Sequence, residues 1–115
     1  MQRDMELIRE ILFRLEQDDR DRLAIDGYDH QAVAYHIRML IEAGFVSGQA
    51  TNTSDGLHAS VSHITWAGHD FIDAARDPER WSRAKEIVKE KSGSVTFDVL
   101  KQLLTSMMKQ ALGIG

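Results

Sequence analysis

A chain of 115 residues and 13.0 kDa suits one domain that buries roughly two-thirds of its unfolded surface. Hydrophobic residues at 43% and charged residues at 28% exclude a disordered chain, and no apolar run approaches the roughly 20 residues of a membrane-crossing helix. Without cysteine there are no disulfides, thiol catalysis or thiolate metal sites, and a net charge of −4 weighs against nucleic acid as a partner.

The N-terminus, MQRDMELIREIL, is charged and amphipathic with no apolar signal core, which predicts a cytoplasmic protein. Over 4–17, Met5, Ile8, Ile11, Leu12 and Leu15 recur at helical spacing, with Arg9, Glu10, Arg14 and Glu16 between them. QDDRDR ends this helix, residues 22–25 alternate as a short strand would, and Asp26-Gly27 is a turn signal. Asp29 suits an N-cap for a second helix over 29–43, whose apolar stripe is Val33, Ile37, Leu40 and Ile41. Gly44 supplies its left-handed stop.

Strands are predicted near 45–50 and 57–64, joined by TNTSDG with Asp55-Gly56 as a turn pair. Leu57, Ala59 and Val61 share a face while Ile64 falls on the other, so a bulge or early turn is expected near Ser62-His63. Thr65 caps the next helix, 66–75, which buries Trp66 or else Phe71 and Ile72. Asp77-Pro78 pairs an N-cap with a proline at the first helical position and opens a helix over 78–91 lined by Trp81, Ala84, Ile87 and Val88. Ser92-Gly93-Ser94 separates it from a last helix over 96–112. The fold class is α+β and mostly helical, in one domain over 1–115. The expected core includes Ile8, Ile11, Leu12, Leu15, Val33, Ile37, Leu40, Ile41, Phe45 and Phe71.

A helix closing at a glycine, a short strand, a polar loop, a second strand and another helix follow the order of a winged helix-turn-helix domain. The segments MQRDMELIREIL, GYDHQAVAYHIRMLIEAGFV, ITWAGHDFIDAARD and SGSVTFDVLKQLL resemble an uncharacterised family of bacterial and prophage proteins, domain-of-unknown-function family 2513. The resemblance spans nearly the whole chain. It implies a winged-helix-like core over 4–75 with a helical C-terminal extension over 78–112, a phage association, and no established activity. More loosely, Leu-x-x-Ala-Gly-Phe-Val followed by Ile-Thr-x-x-Gly-x-x-Phe is similar to winged-helix transcription regulators. Carried over, it makes 29–43 the recognition-helix equivalent, with His30, Gln31, Ala34, Tyr35 and Arg38 as its candidate face. Thr51, Asn52, Thr53 and Ser54 become the candidate wing.

This sequence departs from those regulators between Ile25 and the second helix. Asp26-Gly27-Tyr28 leaves little room for the positioning helix that crosses the phosphate backbone in a helix-turn-helix. Charge points the same way. From Asp29 to Thr65, Arg38 stands against Asp29, Glu42 and Asp55, whereas a DNA-binding face neutralises several phosphates. The expected function is therefore a non-enzymatic interaction or regulatory module, with a DNA-binding transcriptional regulator as the alternative.

Five histidines raise the question of metal, but none stands four residues from another on a helix, and His36 lies beside the apolar stripe. No metal site, cofactor or catalytic group is expected, since nothing resembles a nucleophile elbow, a phosphate loop or a supported carboxylate pair. From Arg76 to Lys91 six cations alternate with four acids, the pattern of a solvated, salt-bridged helix face. In the last helix Phe97, Leu100, Leu104, Met107 and Ala111 repeat at 3, 4, 3 and 4 residues, and Leu103, Met108 and Leu112 widen the stripe. That helix either covers the domain's own first helix or offers Phe97, Leu100, Leu104, Met107, Met108 and Ala111 to a protein partner, including a second copy in a homodimer.

Overall fold

A computed structural model describes residues 3–17, 25, 27–92 and 97–113, without the side chains of 91, 92, 97 and 98. The order is α1 (Met5–Glu16), α2 (His30–Glu42), β1 (Val46–Thr53), β2 (Gly56–Ile64), α3 (Trp66–Ala75), α4 (Pro78–Ser92) and α5 (Phe97–Ala111). The class is α+β and mostly helical, with one antiparallel two-stranded sheet among the described residues. Packing separates two compact units, Met1–His69 and Asp70–Gly115. The division falls inside α3. The strand expected over 22–25 lies outside the described residues except for Ile25, which is buried and takes no strand assignment.

In the first unit, Asp4 caps α1: its Oδ1 accepts from the amides of Glu6 (3.0 Å) and Leu7 (3.3 Å). Met5, Ile8, Ile11, Leu12 and Leu15 are buried as their spacing predicts, and Leu7 joins them. The Tyr28 amide donates to the Ile25 carbonyl (3.1 Å). Asp29 caps α2 through Ala32 N–H (2.7 Å). Val33, Ile37 and Leu40 are buried, but Ile41 is only half-buried; Ala34 and His36 take the places on the inner face. The expected stripe drifted one step too far around the helix at its C-terminal turn.

The end of α2 is a Schellman motif. Gly44 has φ 81°, its amide donates to Ile41 O (3.0 Å), and the Phe45 amide donates to Leu40 O (3.0 Å). Leu40 and Phe45, the third-from-last position and the residue after the glycine, are both buried, as the motif's apolar contact requires. The chain then turns directly into β1.

The hairpin is longer than the sequence suggested. Pairing runs from Val46↔Ile64 to Thr53↔Gly56, so Thr51, Asn52 and Thr53 are strand residues and the tip is Ser54-Asp55. Nothing in TNT opposes extension, and threonine favours it. Between Ser47↔His63 and Gly48↔Val61 the register slips by one residue of β2. This bulge, expected near Ser62-His63, returns Ile64 to partial burial beside Val46. Both strands pack on α2, with Val46 and Leu57 buried.

In the second unit Phe71, Ile72, Ala74, Ala75, Trp81, Ala84, Val88, Leu100 and Leu104 are buried. Trp66 is 86% exposed, so of the two alternatives for α3 it is Phe71 and Ile72 that go inward. The rings of Phe71 and Trp81 meet edge to face at 6.2 Å. Arg80 closes the C-terminus of α3, donating through Nε to Ala74 O (2.9 Å) and through Nη2 to Asp73 O (3.4 Å). Asp77 caps α4 through the Glu79 (2.9 Å) and Arg80 (3.4 Å) amides, as Asp-Pro predicts. The partner of α5 within this unit is α4.

Candidate functional site

The residues carried over as a recognition face differ in their surroundings. Gln31 is bound to the hairpin: the Leu57 amide donates to its Oε1 (2.9 Å), and its Nε2 donates to Leu57 O (3.2 Å). A side-chain amide thus pairs with β2 as another strand's peptide group would. Ala34 is 4% exposed and belongs to the core. His30 is exposed at the start of α2, and Tyr35 and Arg38 are half-buried. The Arg38 guanidinium lies 5.3 Å from the Tyr35 ring centre, with Nε 4.0 Å from Glu42 Oε1. The positive group of α2 therefore lies on the helix surface beside an acid.

Of the wing candidates, Thr51, Asn52, Thr53 and Ser54 are all exposed, but only Ser54 lies in the turn. The Thr53 hydroxyl donates to Gly56 O (3.2 Å) and accepts from the Asp55 amide (3.2 Å), so it is spent on shaping the tip. Away from the buried Val46 and Leu57, the sheet presents Gln49, Thr51, His58, Ser60 and His63, all exposed. This face is polar and carries no fixed charge.

Among the described residues His36 is the buried polar side chain of the unit, at 2% exposure. Its Nδ1 stands 2.7 Å from Ala32 O, and its Nε2 accepts from the Asp4 amide (2.8 Å). A carbonyl cannot donate and an amide cannot accept, so the ring carries its proton on Nδ1. Asp4 in turn accepts from Tyr28 OH through Oδ2 (2.6 Å). That hydrogen bond, with burial and the carboxylate's charge behind it, raises the Tyr28 pKa above that of an ordinary tyrosine. The Tyr28–Asp4–His36 chain ties the start of α1 to α2. With His36 enclosed, His30, His58 and His63 are the histidines of 29–65 left at the surface. Among the described residues no three histidine, aspartate or glutamate side chains group closely enough to hold a metal ion.

The last-helix candidates divide. Leu100 and Leu104 are fully buried within the chain, so neither is available to a partner. Met107 and Met108 are half-buried, Ala111 is exposed, and the side chain of Phe97 lies outside the described residues. The heptad-like seam is the line along which α5 packs on its own chain, because spacing alone cannot tell an internal seam from an external one. Exposure falls instead on Val99 and Leu112.

Sequence reasoning missed the Gln31 clamp and the Asp4–His36 bond. These join residues 26 and 32 apart in sequence, and no local pattern announces them. Thr65 was found by its capping position, but its second bond was not: Oγ1 accepts from the Gly68 amide (3.1 Å) and donates to Gly44 O (2.6 Å). The Gly-Phe-Val and Ile-Thr-x-x-Gly signatures thus meet at one junction, where the end of α2 holds the start of α3.

The chain belongs to the family of hypothetical proteins designated DUF2513, whose model matches residues 2–94. It is similar to a Haemophilus influenzae protein called "Uncharacterized protein", with 29% identity over 117 residues, 97% of this chain and 99% of the relative. No solved structure matches. Among the described residues, no helix is long and apolar enough to cross a membrane.

Proposed function

We propose that this member of the DUF2513 family is a non-enzymatic interaction module on a winged-helix-like scaffold, whose partner is a protein. The scaffold reading is supported by the order α1, α2, hairpin and α3, and by the Schellman turn that delivers α2 straight into β1. In this reading α2 stands where a recognition helix stands and the hairpin is the wing.

The observation that carries the partner class is electrostatic. Across α2 and the hairpin the one Lys or Arg is Arg38, and it rests on Tyr35 and Glu42. Duplex DNA is held chiefly through phosphate neutralisation, which one engaged guanidinium cannot supply. A neutral surface of Gln, Thr, Ser and His suits protein, whose polar groups need hydrogen bonds and not counter-charge.

The alternative, a DNA-binding transcriptional regulator, keeps the same scaffold and draws on the exposed hairpin and on His30, Tyr35 and Arg38. It would need a further source of cations. Affinity capture of the tagged full chain, in a lysate of the organism that encodes it, separates the two. The expected result is a protein partner retained after nuclease treatment; a partner lost with nuclease would favour the regulator.

A further inference from the structure

A strand at the margin of a sheet presents a row of backbone donors and acceptors that must find partners or face water. The two margins of this hairpin differ. On β2, both the amide and the carbonyl of Leu57 are occupied by the Gln31 side chain. On β1, no strand pairs with the outer side of Val46–Thr53 among the described residues. Edge strands are ordinarily protected by lysine, proline, a bulge or brevity. β1 has eight residues, VSGQATNT, with no charge and no proline, and the hairpin's bulge is on β2. From Gln49 to Thr53 every residue is exposed.

The geometry points to a second copy of this chain as the occupant. β1 of each protomer pairs antiparallel with β1 of the other across a two-fold axis, giving a four-stranded sheet in the order β2-β1-β1-β2. A two-fold contact must be complementary to itself, and this strand is. With the axis at Ala50, Ala50 faces its own mate, Thr51 faces Gln49, Asn52 faces Gly48, and Thr53 faces Ser47. No facing pair brings charges together, and the hydroxyl and amide pairs can hydrogen-bond. A charged peptide would find no counter-charge on this edge, whereas an identical neutral strand loses nothing by pairing.

The contact is distinct from the heptad-like seam of α5, whose Leu100 and Leu104 are already buried. It does not depend on the reading of α2, because a protein-binding module and a DNA-binding one can each pair through β1. Two strands alone bury less than the roughly 1,200 Å² of a stable interface, so the dimer is weak and fills at roughly hundreds of micromolar.

Sedimentation of the full chain from about 10 μM to about 1 mM tests this. The expected mass rises with concentration from 13.0 kDa towards twice that value, and amide exchange in β1 slows in parallel. Ala50→Lys and Ala50→Glu each place like charges face to face at the axis. Each should weaken association at least about tenfold while circular dichroism is unchanged, and an equimolar mixture of the two should restore it. A constant 13.0 kDa across the range would overturn the proposal. So would a dimer indifferent to both variants, or two charge variants that fail to rescue one another.

Discussion

Replacing Gly68 by alanine should destabilise the protein, although helix propensity predicts the opposite. Gly68 is the third residue of α3, and glycine to alanine within a helix ordinarily gains about 1 kcal/mol. Here a β-carbon would be driven into the Phe45 carbonyl oxygen, with Ile64 Cγ2 at 2.7 Å and the Phe45 carbonyl carbon at 3.0 Å. The obstructing atoms are mostly backbone, so no rotamer change relieves them. Overpacking of this kind costs about 1–3 kcal/mol. Moving the Phe45 carbonyl also disturbs its hydrogen bond from the Thr65 amide (3.1 Å). That bond contributes about 1 kcal/mol more. The net expectation is a loss of about 1–3 kcal/mol, after subtracting the propensity gain. Urea unfolding followed by circular dichroism reads it directly. A variant as stable as the parent, or more stable, would show that α3 does not press on the turn after α2.

Gln31→Ala removes both bonds to Leu57 and should cost about 1–2 kcal/mol, with faster amide exchange at Leu57; a loss under about 0.3 kcal/mol would mean that the clamp does not hold the hairpin. Leu104→Ala empties a fully buried position and should cost about 2–4 kcal/mol by thermal or urea unfolding, whereas an unaffected protein would mean that α5 is not docked. Tyr28 should ionise above an ordinary tyrosine in an absorbance titration, and Asp4→Asn should bring it back towards the ordinary value. Because the folded-state pKa of Tyr28 is raised, its contribution to stability is whole below the unfolded value of about 10 and fades as pH climbs through the raised one.

The helices were legible because their signals are local. Asp29, Thr65 and Asp77 each cap the helix that follows, and a capping group acts within three residues of itself. Apolar spacing likewise placed Ile8, Leu12, Val33, Ile37 and Leu40 inside. The bulge at Ser62 could be read from a two-residue alternation that breaks once. Site residues were less legible, for a physical reason. Whether Gln31 points to solvent or to β2 depends on where a strand 26 residues away comes to rest. Whether Leu104 faces a partner or α4 depends on the turn between two helices, and the heptad pattern is the same in both cases. Charge is read from composition alone. The scarcity of cations between Asp29 and Thr65 is a property of composition, and folding only tightened it by laying Arg38 against Tyr35 and Glu42.

The most direct test of the central claim is fluorescence anisotropy of labelled duplex DNA titrated with the full chain at neutral pH, repeated across a range of salt. The account predicts a dissociation constant of roughly 10⁻⁴ M or weaker at about 0.15 M salt, with a shallow salt slope. Sub-micromolar binding that falls steeply with salt and disappears in Arg38→Ala would contradict it and make α2 a recognition helix in function as well as position.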